Sequence, residues 1–282
     1  MKGSTGKIIK TAFIAMIVLT ASMIAATVVN ISKLEGNMAL SGKEILIQKD
    51  TLEGRIADDA TVAVISTSLG DMAAELYPQC APETVANFRK LADSGYYKET
   101  FVYSVNHGLN AGLGSKFSDG TFPKEYDESI EKTEPEITKD LWPLKGALLS
   151  AGLTQGTLWR GQITYSGSRF IIPGSIDFEE EDTKKTLDSY LNLSDEDKQS
   201  NPEAFEVTQN LIDMFRKYGG TPNVSQQITV FGQIFDGWDV LDSILNVPVD
   251  ENKLCPLSEI EITDVKVMTY SEYTKNQAKP AK

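Results

Sequence analysis

Histidine and cysteine, the side chains most used as general bases, thiol nucleophiles and zinc ligands, are scarce in this sequence. The chain has one histidine, His107, and two cysteines, Cys80 and Cys255. Zinc sites and histidine catalysis need several such residues close together, so we interpret His107 as a loop residue and the cysteines as separate thiols. An acidic run at 177–182 lacks the glycine and the spaced ligands of a calcium loop. We therefore predict no cofactor and no metal ion.

Three short motifs carry the most specific information. They read Ala81-Pro82-Glu83-Thr84-Val85-Ala86-Asn87-Phe88, then Gly167-Ser168-Arg169-Phe170-Ile171-Ile172, then Thr229-Val230-Phe231-Gly232-Gln233 followed by Asp236-Gly237-Trp238-Asp239-Val240-Leu241-Asp242. In this order they resemble the cyclophilin family of peptidyl-prolyl isomerases, over about residues 61–267. The resemblance implies a cyclophilin fold and a groove that binds proline-containing segments.

The same resemblance implies an altered active site. Where the family pattern has an arginine this chain has Ser104, and where it has two glutamines this chain has Gly112 and Arg169. Rotation about an X–Pro bond must cross a barrier of roughly 18–20 kcal/mol. Catalysis needs a charged donor aimed at the prolyl nitrogen, and losing such a donor commonly costs about 10²- to 10³-fold in rate. We therefore expect weak or lost isomerase activity.

Arg169 leaves one route to catalysis open. By the resemblance, its position faces the same groove from a neighbouring strand, so its guanidinium could replace the missing arginine. The alternative is an exposed arginine that pairs with one of the many acidic groups. No other catalytic residue is assigned. If the groove binds peptide, its expected lining is Ser104, Leu109, Ala151, Arg169, Ile171 and Ile228, with Asn223 and Ile228 at positions where the family pattern has an aromatic residue or histidine.

Composition and charge narrow the function classes. The chain has 282 residues, 41% of them hydrophobic, which is enough for a sizeable core. Its formal net charge of −13 argues against nucleic acid as a partner. We interpret the acidic surface as a contribution to solubility.

The N-terminus predicts where the domain is located. Lysines within residues 1–10 precede an uncharged apolar stretch at 11–32 that is long enough to cross a membrane as a helix. Positive charge before the stretch predicts a cytoplasmic N-terminus, an uncleaved signal anchor and an extracytoplasmic body, on the outside of a single-membrane bacterium. The alternative is a cleaved signal peptide and a secreted protein. Residues 33–60 are interpreted as a juxtamembrane linker.

Strand and turn signals predict a mostly-β fold. Alternating apolar residues from Thr61 predict two strands joined by a turn at 68–71, and further strands are expected at 101–105, 147–150, 168–172, 228–234 and 259–269. Helices are expected from Pro82 to before Gly95 and at 237–245. With the family resemblance, this predicts a closed antiparallel eight-stranded β-barrel capped by two helices over 61–270. A C-terminal tail follows at 271–282, and its part from Lys275 to Lys282 is expected to be frayed.

A helical insert is predicted at 175–222. Asn201 and Pro202 indicate a helix start and Gly219-Gly220 its end. Between them an apolar stripe is formed by Phe205, Leu211, Ile212, Phe215 and Tyr218. The stripe either docks on the barrel or presents a surface to a partner.

Three functions are therefore compatible with the sequence. We favour a cyclophilin-like domain that binds proline-containing segments of exported proteins, as a folding helper or tether, with weak or lost isomerase activity. The alternatives are an active isomerase that assists the folding of exported proteins, and an interaction domain that acts through the helical insert.

Overall fold

The computed structural model describes residues 47–119, 133–138, 140–151, 153–157, 161–165, 167–181, 183–185, 202–222 and 228–278. The predicted membrane anchor at 11–32 lies outside these ranges, and so does Asn223, a position where the family pattern has an aromatic residue or histidine. Within them, no helix is both long and apolar enough to span a membrane.

Eight strands close into an antiparallel barrel in the order β1-β10-β3-β4-β8-β5-β9-β2, as the sequence predicted. β6 and β7 pair with each other as a separate hairpin between β5 and β8. The strand bounds are β1 Thr61–Thr67, β2 Gly70–Leu76, β3 Thr100–Asn106, β4 Asn110–Ser115, β5 Ala147–Ser150, β6 Leu153–Thr157, β7 Gly161–Tyr165, β8 Phe170–Pro173, β9 Val230–Asp236 and β10 Glu261–Thr269. β4 and the β6–β7 hairpin had no predicted counterpart.

The barrel core forms because inward-facing apolar residues alternate along the strands. On β1, for example, Ala63 and Ile65 are fully buried in the main hydrophobic cluster. Two helices add their apolar faces to the same cluster, α2 (Pro82–Asp93) and α4 (Trp238–Leu245). The α2 helix begins at a first-turn proline, as predicted. It is followed by Gly95, whose positive φ of 74° suits glycine.

Two ends of the described chain are more ordered than the sequence suggested. Part of the expected linker forms a short helix, α1 (Ile47–Leu52), in which Gln48 and Thr51 are buried. At the other end, the first part of the expected tail forms α5 (Tyr270–Gln277), which includes three residues of the stretch expected to be frayed, while residues 279–282 lie outside the described ranges. A capping box between Thr269 and Glu272 starts α5, because each side chain satisfies a backbone amide of the other.

The insert contains the predicted helix, α3 (Pro202–Tyr218). Its described apolar residues Leu211, Ile212 and Phe215 are buried in a second hydrophobic cluster, together with Trp142, Leu144 and Phe178. The side chain of Phe205 lies outside the described ones. This packing favours a stripe that docks on the barrel over a stripe that presents itself to a partner.

Candidate functional site

The candidate groove lies on the outer face of four neighbouring strands. Ser104 on β3 pairs with Gly112 on β4, Gly112 pairs with Ile171 on β8, and Ile171 pairs with Leu149 on β5. Neighbouring strands are about 4.8 Å apart, so this row extends over roughly 14 Å. Phe170, next to Ile171, points into the core. Because side chains alternate along a strand, the row itself faces outward.

A β-bulge in β3 changes which side chains reach this face. The register between β3 and β4 pairs Val102 with Leu113 and then Ser104 with Gly112, so Tyr103 is the extra residue. A bulge sets two residues of one strand against one residue of its partner. Tyr103 and Ser104 therefore both lie on the outer face beside Gly112.

Gly112 leaves room for the tyrosine ring. A Cβ atom at this position would lie 2.5 Å from Cζ of Tyr103 and 2.6 Å from Oγ of Ser104. Both distances are far below van der Waals contact, so a side chain here would push the ring away. The phenol thus fills the space that a glutamine side chain would occupy in the family pattern.

Arg169 joins this surface from the neighbouring strand. Its guanidinium carbon lies 5.6 Å from the centroid of the Tyr103 ring, a cation–π arrangement. The arginine is only 6% exposed, so the alternative of a solvent-exposed arginine is wrong. Its backbone oxygen accepts a hydrogen bond of 2.9 Å from the amide of Ala151. The structure therefore places Arg169, Ala151 and Ser104 on one surface.

The apolar side of the groove is built on a third cluster. Tyr77, Leu141, Ala147, Leu149 and Val230 form this cluster, and the half-buried Ile171 and Ile228 pack against it. Five of the six predicted lining residues thus come together. Leu109 lies apart from them, in the β3–β4 turn, where its oxygen accepts a 2.8 Å hydrogen bond from the Gly174 amide.

The Glu136 carboxylate caps the N-terminus of α2. The two oxygens of Glu136 accept hydrogen bonds from the amides of Glu83, at 3.0 Å, and Thr84, at 2.8 Å, in the first turn of α2. The Glu136 amide donates to the Thr229 hydroxyl, at 2.9 Å, at the start of β9. The negative charge suits the positive end of the helix dipole. This contact joins α2 to the strand that follows Ile228.

The titratable groups near the groove do not form a reactive centre. His107 lies in the β3–β4 turn, with Nδ1 3.1 Å from the oxygen of Leu245. Burial raises the pKa of the Cys80 thiol, and the nearby Asp140 charge raises it further. Cys80 and Cys255 are both free thiols. In the described part of the chain, no three His, Cys, Asp or Glu side chains are grouped closely enough to hold a metal ion.

Comparison with known proteins decides the family. The model of the family described as cyclophilin type peptidyl-prolyl cis-trans isomerase matches residues 62–267. The chain belongs to the cyclophilin family. This cyclophilin is 30% identical over 208 residues to a Staphylococcus saprophyticus protein provisionally named a peptidyl-prolyl cis-trans isomerase, covering 73% of this chain and 90% of that protein. It is 29% identical over 224 residues to a Staphylococcus aureus protein of the same provisional name, with coverages of 78% and 96%.

A solved structure supports the same fold. The chain matches a cyclophilin type peptidyl-prolyl cis-trans isomerase of Cryptosporidium parvum with a TM-score of 0.50 and 21% identity, covering 74% of this chain and 98% of that one. The likeness concerns the barrel architecture alone.

Sequence reasoning missed Tyr103 in this cyclophilin. Its signal was present, since Tyr103 stands where the family pattern has a histidine, directly before Ser104. Its position beside Gly112 follows from the register of β3 and β4, and its contact with Arg169 follows from the folded side chains, so neither could be read from the sequence. Ser104 lies on β3, Gly112 on β4, and Arg169 directly before β8, so these three substituted positions are carried by neighbouring strands.

Proposed function

We propose that this cyclophilin binds proline-containing segments of exported proteins, as a folding helper or tether, and that its isomerase activity is weak or lost. The observation that carries the proposal is the pair Ser104 and Gly112, which lie opposite each other at the β3 end of the groove row. The family pattern has an arginine and a glutamine at these two positions. Here Ser104 and Gly112 supply neither a guanidinium nor a carboxamide at this point.

The binding half of the proposal is supported by the apolar side of the groove. Ile171, Ile228 and Ala151 are each half-buried, so part of their apolar surface is accessible. A pyrrolidine ring bound there would remove this surface from water, and each Å² of apolar area buried in this way contributes about 25 cal/mol of favourable free energy. The two isoleucines pack on a buried cluster and are thereby held in place for such a ligand.

The weak-activity half follows from the reach and charge of Ser104. A serine hydroxyl is short and neutral, whereas a guanidinium carries five donors on a long side chain. Preorganised donors act on charge that develops in the transition state, and removing one costs about 10²- to 10³-fold in rate. Binding of the ground state does not need that donor, so affinity can persist where catalysis is lost.

One observation favours the alternative of an active isomerase. Arg169 is buried against the Tyr103 ring rather than solvated. A guanidinium held in a region of low dielectric interacts strongly with a nearby peptide group. In this alternative Arg169 is the donor to the prolyl peptide bond.

The exported location is proposed from the N-terminal sequence. An apolar stretch at 11–32 preceded by lysines supports a signal anchor with the barrel on the outer side of the membrane, and a cleaved signal peptide is the alternative. Clients that fold after export fit either location.

The binding proposal is tested by NMR titration of the full-length chain with an Ala-Ala-Pro-Phe peptide. We expect shifts in amides of β4, β5 and β8, and loss of these shifts in Ala151→Trp, because the indole would fill the groove. The matched control is Leu257→Trp, which adds the same ring at a site that is 68% exposed in the loop before β10. Unchanged binding in Ala151→Trp would direct attention to the insert, and absence of binding in the wild type would overturn the proposal.

A further inference from the structure

Tyr103, Gly112 and Arg169 form one contact unit on the outer face of the barrel. The Tyr103 ring contacts Gly112 with its hydroxyl end, since Cζ and the hydroxyl oxygen would lie 2.5 and 2.8 Å from a Cβ at that position. Arg169 lies over the same ring, and both Tyr103 and Arg169 are 6% exposed. The buried Tyr103 ring therefore provides an aromatic face against which the Arg169 guanidinium packs.

The geometry points to Tyr103 as the positioning residue that holds the Arg169 guanidinium at the peptide groove. The inference rests on the proposed use of that groove. An arginine side chain has many rotamers, and contact with an aromatic face selects among them through the negative face of the ring and through planar stacking. Tyr103 itself contacts no atom of the prolyl peptide bond, and its effect on the bound peptide is exerted through Arg169.

Gly112 belongs to the same unit because it determines where the ring can lie. Any side chain at position 112 would occupy the space of the phenol and displace it from beneath Arg169. The bulge belongs to the same unit, since it sets Tyr103 and Ser104 side by side on the outer face against Gly112, between Val102 and Val105, which both face the core. The substitutions at these three positions are therefore coupled, and we expect them to act together.

The first test follows the Nε–H resonance of Arg169 in the full-length chain, assigned by its disappearance in Arg169→Lys. Tyr103→Leu should move this resonance, because the ring current is lost and the guanidinium is released. Tyr103→Phe should keep it near its wild-type position, because the ring remains. If Tyr103→Leu does not fold, Gly112→Ala replaces it, since that variant displaces the ring and leaves the phenol in the protein. A resonance that stays in place after the ring is lost or displaced would overturn the inference.

The second test measures affinity for the Ala-Ala-Pro-Phe peptide in a double-mutant cycle. Arg169→Ala and Tyr103→Leu should each weaken binding by about tenfold, and the double variant should be no weaker than Arg169→Ala alone. Tyr103→Phe should restore most of the affinity lost in Tyr103→Leu. A purely structural role would lower stability without this dependence on Arg169, and additive losses would overturn the inference. If the wild type binds no peptide, the proposed function fails, while the arginine resonance still decides the positioning role.

Discussion

Replacing Gln48 by alanine should destabilise the whole barrel, although Gln48 lies in a six-residue helix that precedes it. The Gln48 side chain is fully buried. Its Oε1 accepts a 2.7 Å hydrogen bond from the Trp142 amide, and its Nε2 donates to the Trp142 oxygen at 2.8 Å and to Oε1 of Gln233 at 2.9 Å. The Gln48 side chain thus links α1 by hydrogen bonds both to the segment before β5 and to β9.

The expected cost follows from the groups that lose a partner. In Gln48→Ala the Trp142 amide loses its acceptor and Oε1 of Gln233 loses a donor, whereas the Trp142 oxygen still accepts from the Leu144 amide. A buried polar group that loses its partner costs about 1–3 kcal/mol. Because water can enter the space that the amide leaves, we expect a loss of about 2–4 kcal/mol in the free energy of unfolding for the two groups together.

Urea denaturation of the full-length chain, followed by tryptophan fluorescence, measures this loss. The matched control is Lys49→Ala, the exposed neighbour in the same helix, for which we expect a change within about 0.5 kcal/mol. Hydrogen exchange at the Trp142 amide should accelerate in Gln48→Ala but not in Lys49→Ala, because only the first variant removes the acceptor of that amide. If Gln48→Ala lowers the free energy of unfolding as little as the control does, the Gln48 hydrogen bonds do not stabilise the barrel and the prediction is wrong.

Three further changes test other parts of the structure. Glu75→Gln should raise the free energy of unfolding at neutral pH, because burial raises the pKa of the Glu75 carboxyl despite the hydrogen bond from Thr51, and the Asp50 charge raises it further. The ionised carboxylate therefore destabilises the wild-type protein, whose free energy of unfolding falls as pH rises through that raised pKa. In thermal melts the gain from Glu75→Gln should vanish in acid, and an equal gain at acid pH would contradict the assignment. Gly112→Ala should cost about 1–3 kcal/mol in urea denaturation through overpacking, and clearly less in a Tyr103→Ala background, whereas additive costs would contradict the contact. Phe215→Ala, at a side chain 1% exposed, should cost about 3–5 kcal/mol in the same assay while peptide affinity stays unchanged, and a loss of affinity would give the insert a binding role.

The sequence predicted the parts of the fold that have a strong periodic signal. The alternation that starts at Thr61 and the first-turn proline at Pro82 both predicted elements that the structure contains. β4 gave no such signal, because its sequence Asn110-Ala111-Gly112-Leu113-Gly114-Ser115 contains two glycines and no β-branched residue. The six residues of α1 are too few to establish a period, and a glutamine reads as a surface residue until its partners are known.

The candidate site was predicted as a set of positions but not as an arrangement. Alignment to a family pattern indicated Ser104, Gly112 and Arg169 as departures, one position at a time. It could not show that a bulge sets both Tyr103 and Ser104 on the outer face beside Gly112, since the register of two strands decides that. The contact between Tyr103 and Arg169 depends on residues 66 positions apart in the chain and needs the folded barrel to be seen.

The most direct test of the central claim is the rate of X–Pro isomerisation, measured by NMR exchange on a peptide that the full-length chain has been shown to bind. Uncatalysed isomerisation takes about tens to hundreds of seconds at 25 °C. We expect binding with little acceleration above this rate, and no further change in Arg169→Ala. Strong acceleration in the wild type that disappears in Arg169→Ala would contradict this expectation and establish Arg169 as the catalytic donor of an active isomerase.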